Sequence, residues 1–161
     1  MEQGFPVNSV VFLFHLVGFG MIATLLFAGP ILERKFQKGE TLDTKMAILR
    51  VMKSVGLLSP LAVLLLIASG IGNMYFTDLG LFKAGWLTAK IVFVAIVIVN
   101  GAMTGMRARK RAKLLERLAR GENVPDALPQ MQRFNKQQTT FYLTQWVLIL
   151  VILVLSVFKP Q

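Results

Sequence analysis

The segment VNSVVFLFHLVGFGMIATLLFAGPIL, residues 7–32, decides the fold. It contains no Asp, Glu, Lys or Arg, and its one titratable side chain is His15. A helix crossing the roughly 30 Å hydrocarbon core of a bilayer needs about 20 consecutive apolar residues, at ~1.5 Å rise each. This run is longer than that. Runs of similar length follow at about 51–76, 86–106 and 139–158. Together the four take up more than half of the 161 residues, so one transmembrane domain covering 1–161 is expected, with no separate soluble domain. The expected fold class is all-α, an integral membrane four-helix bundle. Pro60, in the first half of the second run, predicts a local kink because proline removes a backbone donor. Residues 77–85 are expected to form a short turn, and 122–138 a polar linker.

Charge predicts the orientation. Fifteen of the eighteen Lys and Arg residues lie in two places: residues 33–50 with the entry to the second run, and 107–138. The other end of the bundle has only Lys83 and Lys159, and Lys90 lies inside the third run. Cytoplasmic loops carry the excess of basic residues. Both loops are therefore expected in the cytoplasm and both termini outside, in a multi-pass protein of the inner (cytoplasmic) membrane. The N-terminus, Met1-Glu2-Gln3-Gly4, has no positive charge, and the run after it exceeds a leader's h-region, so a retained span is expected. Residues 107–120 read as a basic helical extension of the third span. Leu114, Leu115 and Leu118 share one face of it, basic residues cover the rest, and Gly121 ends it. A net charge of +10 is thereby explained by anionic headgroups at the cytoplasmic face, with no need for nucleic acid.

The chain has no cysteine and one histidine. Disulfides, thiolate metal sites and iron–sulfur clusters are excluded, and one protomer has too few ligands for a zinc site or for two axial histidines on a haem. No span carries a pair of carboxylates. The eight methionines, including the Met103/Met106 pair, read as core filling.

Ionisable groups in the hydrocarbon region are costly and mark candidate sites. His15 lies about two turns into span one and Lys90 about one turn into span three. Both spans start from the same face, so both groups reach comparable depths, roughly 6–12 Å below the outer boundary. Gly18, one turn from His15, leaves room for a bulky group to approach. His15 reads either as a cofactor ligand, as a packing residue held by a hydrogen bond, or as a proton carrier; Lys90 reads either as a member of the same site or as a snorkelling side chain. Asn100, beside the Gly101-x-x-x-Gly105 spacing, reads as a hydrogen bond across a close helix contact. The strip Ala68-Ser69-Gly70-Ile71-Gly72-Asn73 reads as close packing.

Several segments together resemble a known membrane family. Span one carries His15, then Leu26-Phe27-Ala28-Gly29-Pro30 and Glu33-Arg34-Lys35-Phe36. Span two carries Ser59-Pro60 and Ser69-Gly70, and span three opens Gly85-Trp86-Leu87-Thr88-Ala89-Lys90. Asn135, Thr139 and the closing Val157-Phe158-Lys159-Pro160 complete the pattern. In these features the chain resembles the HemJ-type protoporphyrinogen oxidases and their copper-resistance-D-like relatives. The resemblance implies a four-helix membrane fold, haem b binding, and functional roles for His15 and Lys90: His15 as haem-iron ligand, Lys90 as partner to a propionate, base or sixth ligand. It also implies oxidation of protoporphyrinogen, with electrons passed to quinone or a respiratory protein. Thr88 stands where that family has a second histidine. The alternative expectation is a non-catalytic accessory subunit of a larger respiratory or transport complex; a homodimer or a larger membrane complex is compatible with either.

Overall fold

The computed structural model describes residues 7–76 and 85–158, so Lys83, Lys159 and most of the expected 77–85 turn lie outside the described residues. Helix is the only regular secondary structure among the described residues: α1 (Val7–Lys38), α2 (Leu42–Gly56), α3 (Leu58–Phe76), α4 (Gly85–Ala119) and α5 (Ala127–Phe158). Four helices are long and apolar enough to cross a membrane, with α2 and α3 together forming the second. The protein is an all-α four-helix membrane bundle.

The helices overrun the apolar segments. α4 has 35 residues, about 52 Å of helix, well beyond the ~30 Å apolar slab. Its basic extension is one continuous helix with the third span. Gly121, at φ +76, ends it, with the Glu122 amide donating to the Arg117 carbonyl and the Gly121 amide to Leu118. The expected loops are mostly helix. α1 runs through Pro30 to Lys38, and α2 begins at Leu42 on a Thr41 cap whose hydroxyl accepts from the Thr44 amide at 3.2 Å. The polar linker expected over 122–138 is corrected as well: α5 already starts at Ala127, so the linker is only a few residues long. Pro60 acts where its ring meets the carbonyl four residues back, at Gly56. The helix breaks at Leu57, separating α2 from α3.

Packing joins α1 to α3 and α4 to α5, and then the two pairs through α1–α5 and α2–α4. Small residues make the close approaches. A Cβ on Gly18 would meet Leu66, Leu65 and the Ala62 carbonyl at 3.0–3.2 Å, and one on Gly72 would meet Val11 at 2.9 Å. On the α5 side, the Tyr142 ring lies against Gly29 and Phe27 meets Trp146 edge-on at 4.8 Å. Apolar side chains elsewhere on the spans face outward, as they should where lipid is the solvent. Met103 and Met106 are among them, so these two are not core filling. The Gly101/Gly105 spacing meets no neighbouring helix either: a Cβ at either position would stand in open space.

The tightest core lies at the basic end. Phe36, Leu49, Ala112 and Leu115 are buried together, with Leu42, Met46, Met52 and Met131 packed around them. Within this end Arg111 and Glu33, each 2% exposed, form a two-pronged ion pair at 2.7 and 2.9 Å. Arg111 also donates to Asn135 Oδ1 of α5 at 3.4 Å and lies 4.4 Å over the Phe36 ring. Gln37 Nε2 donates to Glu33 Oε1 at 2.9 Å. Arg111 was expected on the solvated basic face; it sits on the apolar one. At the rim, Lys53 reaches Glu116 at 3.0 Å, and Arg117 and Arg120 reach Glu122. These partners hold both carboxyls below the usual value of 4.5. Their contribution is therefore complete above that value and is lost as pH falls through the lowered ones.

Removing one member of a buried ion pair strands the other's charge, which costs about 3–5 kcal/mol. Glu33→Ala is expected to lower the unfolding free energy of the detergent-solubilised chain by that amount, measured by denaturant titration. The double change Glu33→Leu with Arg111→Met is expected to recover most of the loss. A single-variant loss below about 1 kcal/mol would show that the pair is not buried.

Candidate functional site

His15 projects from α1 onto α3. Its Nδ1 lies 2.9 Å from Ser69 Oγ, and the ring rests over Gly70, where an added Cβ would stand 3.9 Å from Cε1. The two helices can approach this closely because α3 presents Ser69, Gly70 and Gly72 to α1. A Cβ at position 70 would sit in ordinary contact with the imidazole.

The hydrogen-bond pattern assigns the tautomer. Ser69 has one hydroxyl proton, and it points back along its own helix to the Leu65 carbonyl, with Leu66 O at a longer 3.4 Å. Its oxygen therefore accepts from the imidazole, so His15 carries its proton on Nδ1. The Leu66 backbone lies beside the ring as well. With the proton on Nδ1, Nε2 is the nitrogen that carries the lone pair. An imidazole with one nitrogen tied by a hydrogen bond and the other presenting a lone pair is the arrangement of metal-ligating histidines.

Lys90, on α4, is within electrostatic range of this imidazole. The two groups come from different helix pairs. Gly18 does not open onto it. The space beside Gly18 is filled by Ala62, Leu65 and Leu66 of α3, so its role is to let α3 approach, and the expectation that it admits a bulky ligand is corrected on that ground. Ser69 is the site residue that sequence reasoning treated as packing alone. Its signal was a hydroxyl in the middle of an apolar helix.

Asn100 and Gln145 form a second polar contact within the spans, Nδ2 donating to Oε1 at 3.0 Å. This amide–amide bond joins α4 to α5 and serves packing. No group of three or more His, Cys, Asp or Glu that would hold a metal ion occurs among the described residues. No family model, curated protein or solved structure matches the chain.

The lone histidine makes the tautomer directly measurable. In ¹⁵N-histidine-labelled protein, one imidazole pair of resonances is expected, protonated at Nδ1. Ser69→Ala removes the acceptor and is expected to shift the ring toward a mixture of tautomers. An unchanged spectrum would show that Ser69 does not set the ring.

Proposed function

We propose that this is a multi-pass protein of the inner membrane, with its basic end in the cytoplasm, that holds a tetrapyrrole, haem b, through His15. The observation that carries the reading is the Ser69-anchored imidazole, with Nε2 presented as a lone-pair donor beside the Lys90 charge. The orientation rests on the basic residues gathered at one end.

The residues fit such a group in two respects. Nδ1 is already spent on Ser69, so Nε2 is the nitrogen left to bind iron. Lys90 supplies a positive charge suited to a propionate. The chain has no second histidine, so His15 would be the one axial histidine per protomer. Haem bound there supplies one-electron transfer. The chain's own part is to orient the imidazole through Ser69, to balance a carboxylate through Lys90, and to keep the site within an apolar surround. Its resemblance to the HemJ-type oxidases favours protoporphyrinogen as the substrate.

One observation favours a second reading, an accessory subunit without cofactor. The His15–Ser69 bond is also a satisfied contact between α1 and α3, which a purely structural imidazole would make.

An absorption spectrum separates the two. Protein purified from membranes, or titrated with haemin, is expected to show a Soret band that His15→Ala abolishes and Lys90→Gln weakens, while helix content is unchanged. A colourless protein that takes up no haemin would reject the cofactor reading and leave the accessory one.

A further inference from the structure

At the basic end of the α4–α5 pair there is a cavity of about 320 Å³ outside the site described above. Arg107 of α4 and Arg133 and Lys136 of α5 line it, together with Gln137, and none of its lining residues is acidic. The neighbouring carboxylates are engaged elsewhere: Glu33 with Arg111, Glu116 with Lys53, and Glu122 with Arg117 and Arg120. None of the three lining cations has an ion-pair partner among the described residues. Three cations converging on one cavity, with amide and hydroxyl groups beside them, repel one another unless an anion sits between them.

The position of the cavity along the helices decides which anion. Arg107 directly follows the apolar run of α4, which ends at 106, and Lys136 shortly precedes the apolar run of α5, which begins at 139. The remaining lining residues include Phe141 and Thr144 within that run. Just beyond, Met103 and Met106 of α4 and Leu143 and Val147 of α5 turn outward. The cavity therefore straddles the level where a lipid's charged headgroup gives way to its acyl chains, with cations at one edge and apolar surface at the other. We infer that it binds the phosphodiester headgroup of an anionic lipid, held by Arg107, Arg133 and Lys136, with the acyl chains running along the exposed faces of α4 and α5. This is a discrete site, distinct from general attraction of the basic face to the membrane.

The test uses the full chain in nanodiscs that contain phosphatidylglycerol in phosphatidylcholine. Retained lipid is read by native mass spectrometry after release into detergent. The unmodified chain is expected to retain phosphatidylglycerol over phosphatidylcholine. The triple variant Arg107→Gln, Arg133→Gln, Lys136→Gln is expected to lose that preference by on the order of tenfold. A second triple variant, Arg109→Gln, Lys110→Gln, Lys113→Gln, removes the same charge from exposed positions outside the cavity and is expected to keep the preference. Equal losses in both triples would overturn the proposal in favour of diffuse charge. Displacement of the lipid by millimolar inorganic phosphate would overturn the lipid assignment in favour of a free anion. Should the first triple fail to fold, as judged by circular dichroism, the exposed single change Arg133→Gln carries the same test: a preference identical to that of the unmodified chain would reject the site.

Discussion

The bundle depends on a guanidinium and a carboxylate, Arg111 and Glu33, buried against each other 78 positions apart in sequence. Their helices, α4 and α1, share no extended backbone contact, so the long arginine side chain bridges them. The two-pronged geometry satisfies both carboxylate oxygens, and Phe36 covers the cation's face. Arg111 Nε nevertheless has no partner, so the pair is not fully compensated for leaving water. Such a pair contributes little net stability compared with a well-packed apolar alternative. What it does supply is selectivity. Only one register of α1 against α4 and α5 brings Glu33, Arg111 and Asn135 together, and every other register leaves a charge buried alone.

That constraint matters more here than it would in water. Within the bilayer, apolar side chains gain nothing by turning inward, since lipid solvates them as well as protein does. The spans accordingly leave Phe12, Leu13, Leu64, Val99, Leu150 and many others exposed. Their mutual contacts rest on glycine approaches and on single hydrogen bonds such as Asn100 to Gln145. The hydrophobic effect acts where the helices leave the apolar slab, and there Phe36, Leu49, Ala112 and Leu115 form an ordinary water-excluding core. The chain thus has a membrane part held by contact and a basic end held by burial, with the ion pair inside the latter.

The membrane architecture was legible in the sequence because a span needs only length and lack of charge, both local properties. The break before Pro60 and the stop at Gly121 were legible for the same reason, since each follows from one residue's backbone chemistry. The clamp was not. Arg111 stands among a crowd of basic residues whose common purpose is topology, and by composition it looks like the rest. Its position told otherwise: it precedes Leu114 and Leu115 by three and four residues and follows Thr104 by seven, which places it on the buried stripe. Glu33 likewise continues the stripe of Gly18, Leu26 and Phe36. The loops were misjudged because polarity was read as irregular structure, whereas amphipathic helix ends in water are polar on all faces but one. At the candidate site, His15 and Lys90 stood out in the sequence by the cost of an ionisable group in the membrane. The Ser69 partner required knowing which face of α3 meets α1, and Gly18 was misread for that same reason.

Several residues that carry the HemJ-type resemblance are the ones this structure uses to close its basic end. Glu33, Phe36 and Asn135 meet Arg111 there, and Gly29 admits the Tyr142 ring close by. Likeness at such positions bears on fold and leaves chemistry to the other end. There the logic reverses. His15 is held to α3 through Ser69, in a stretch where the helices meet through small residues and single hydrogen bonds. A bundle locked at one end can leave the other joined by such lighter contacts without losing its register.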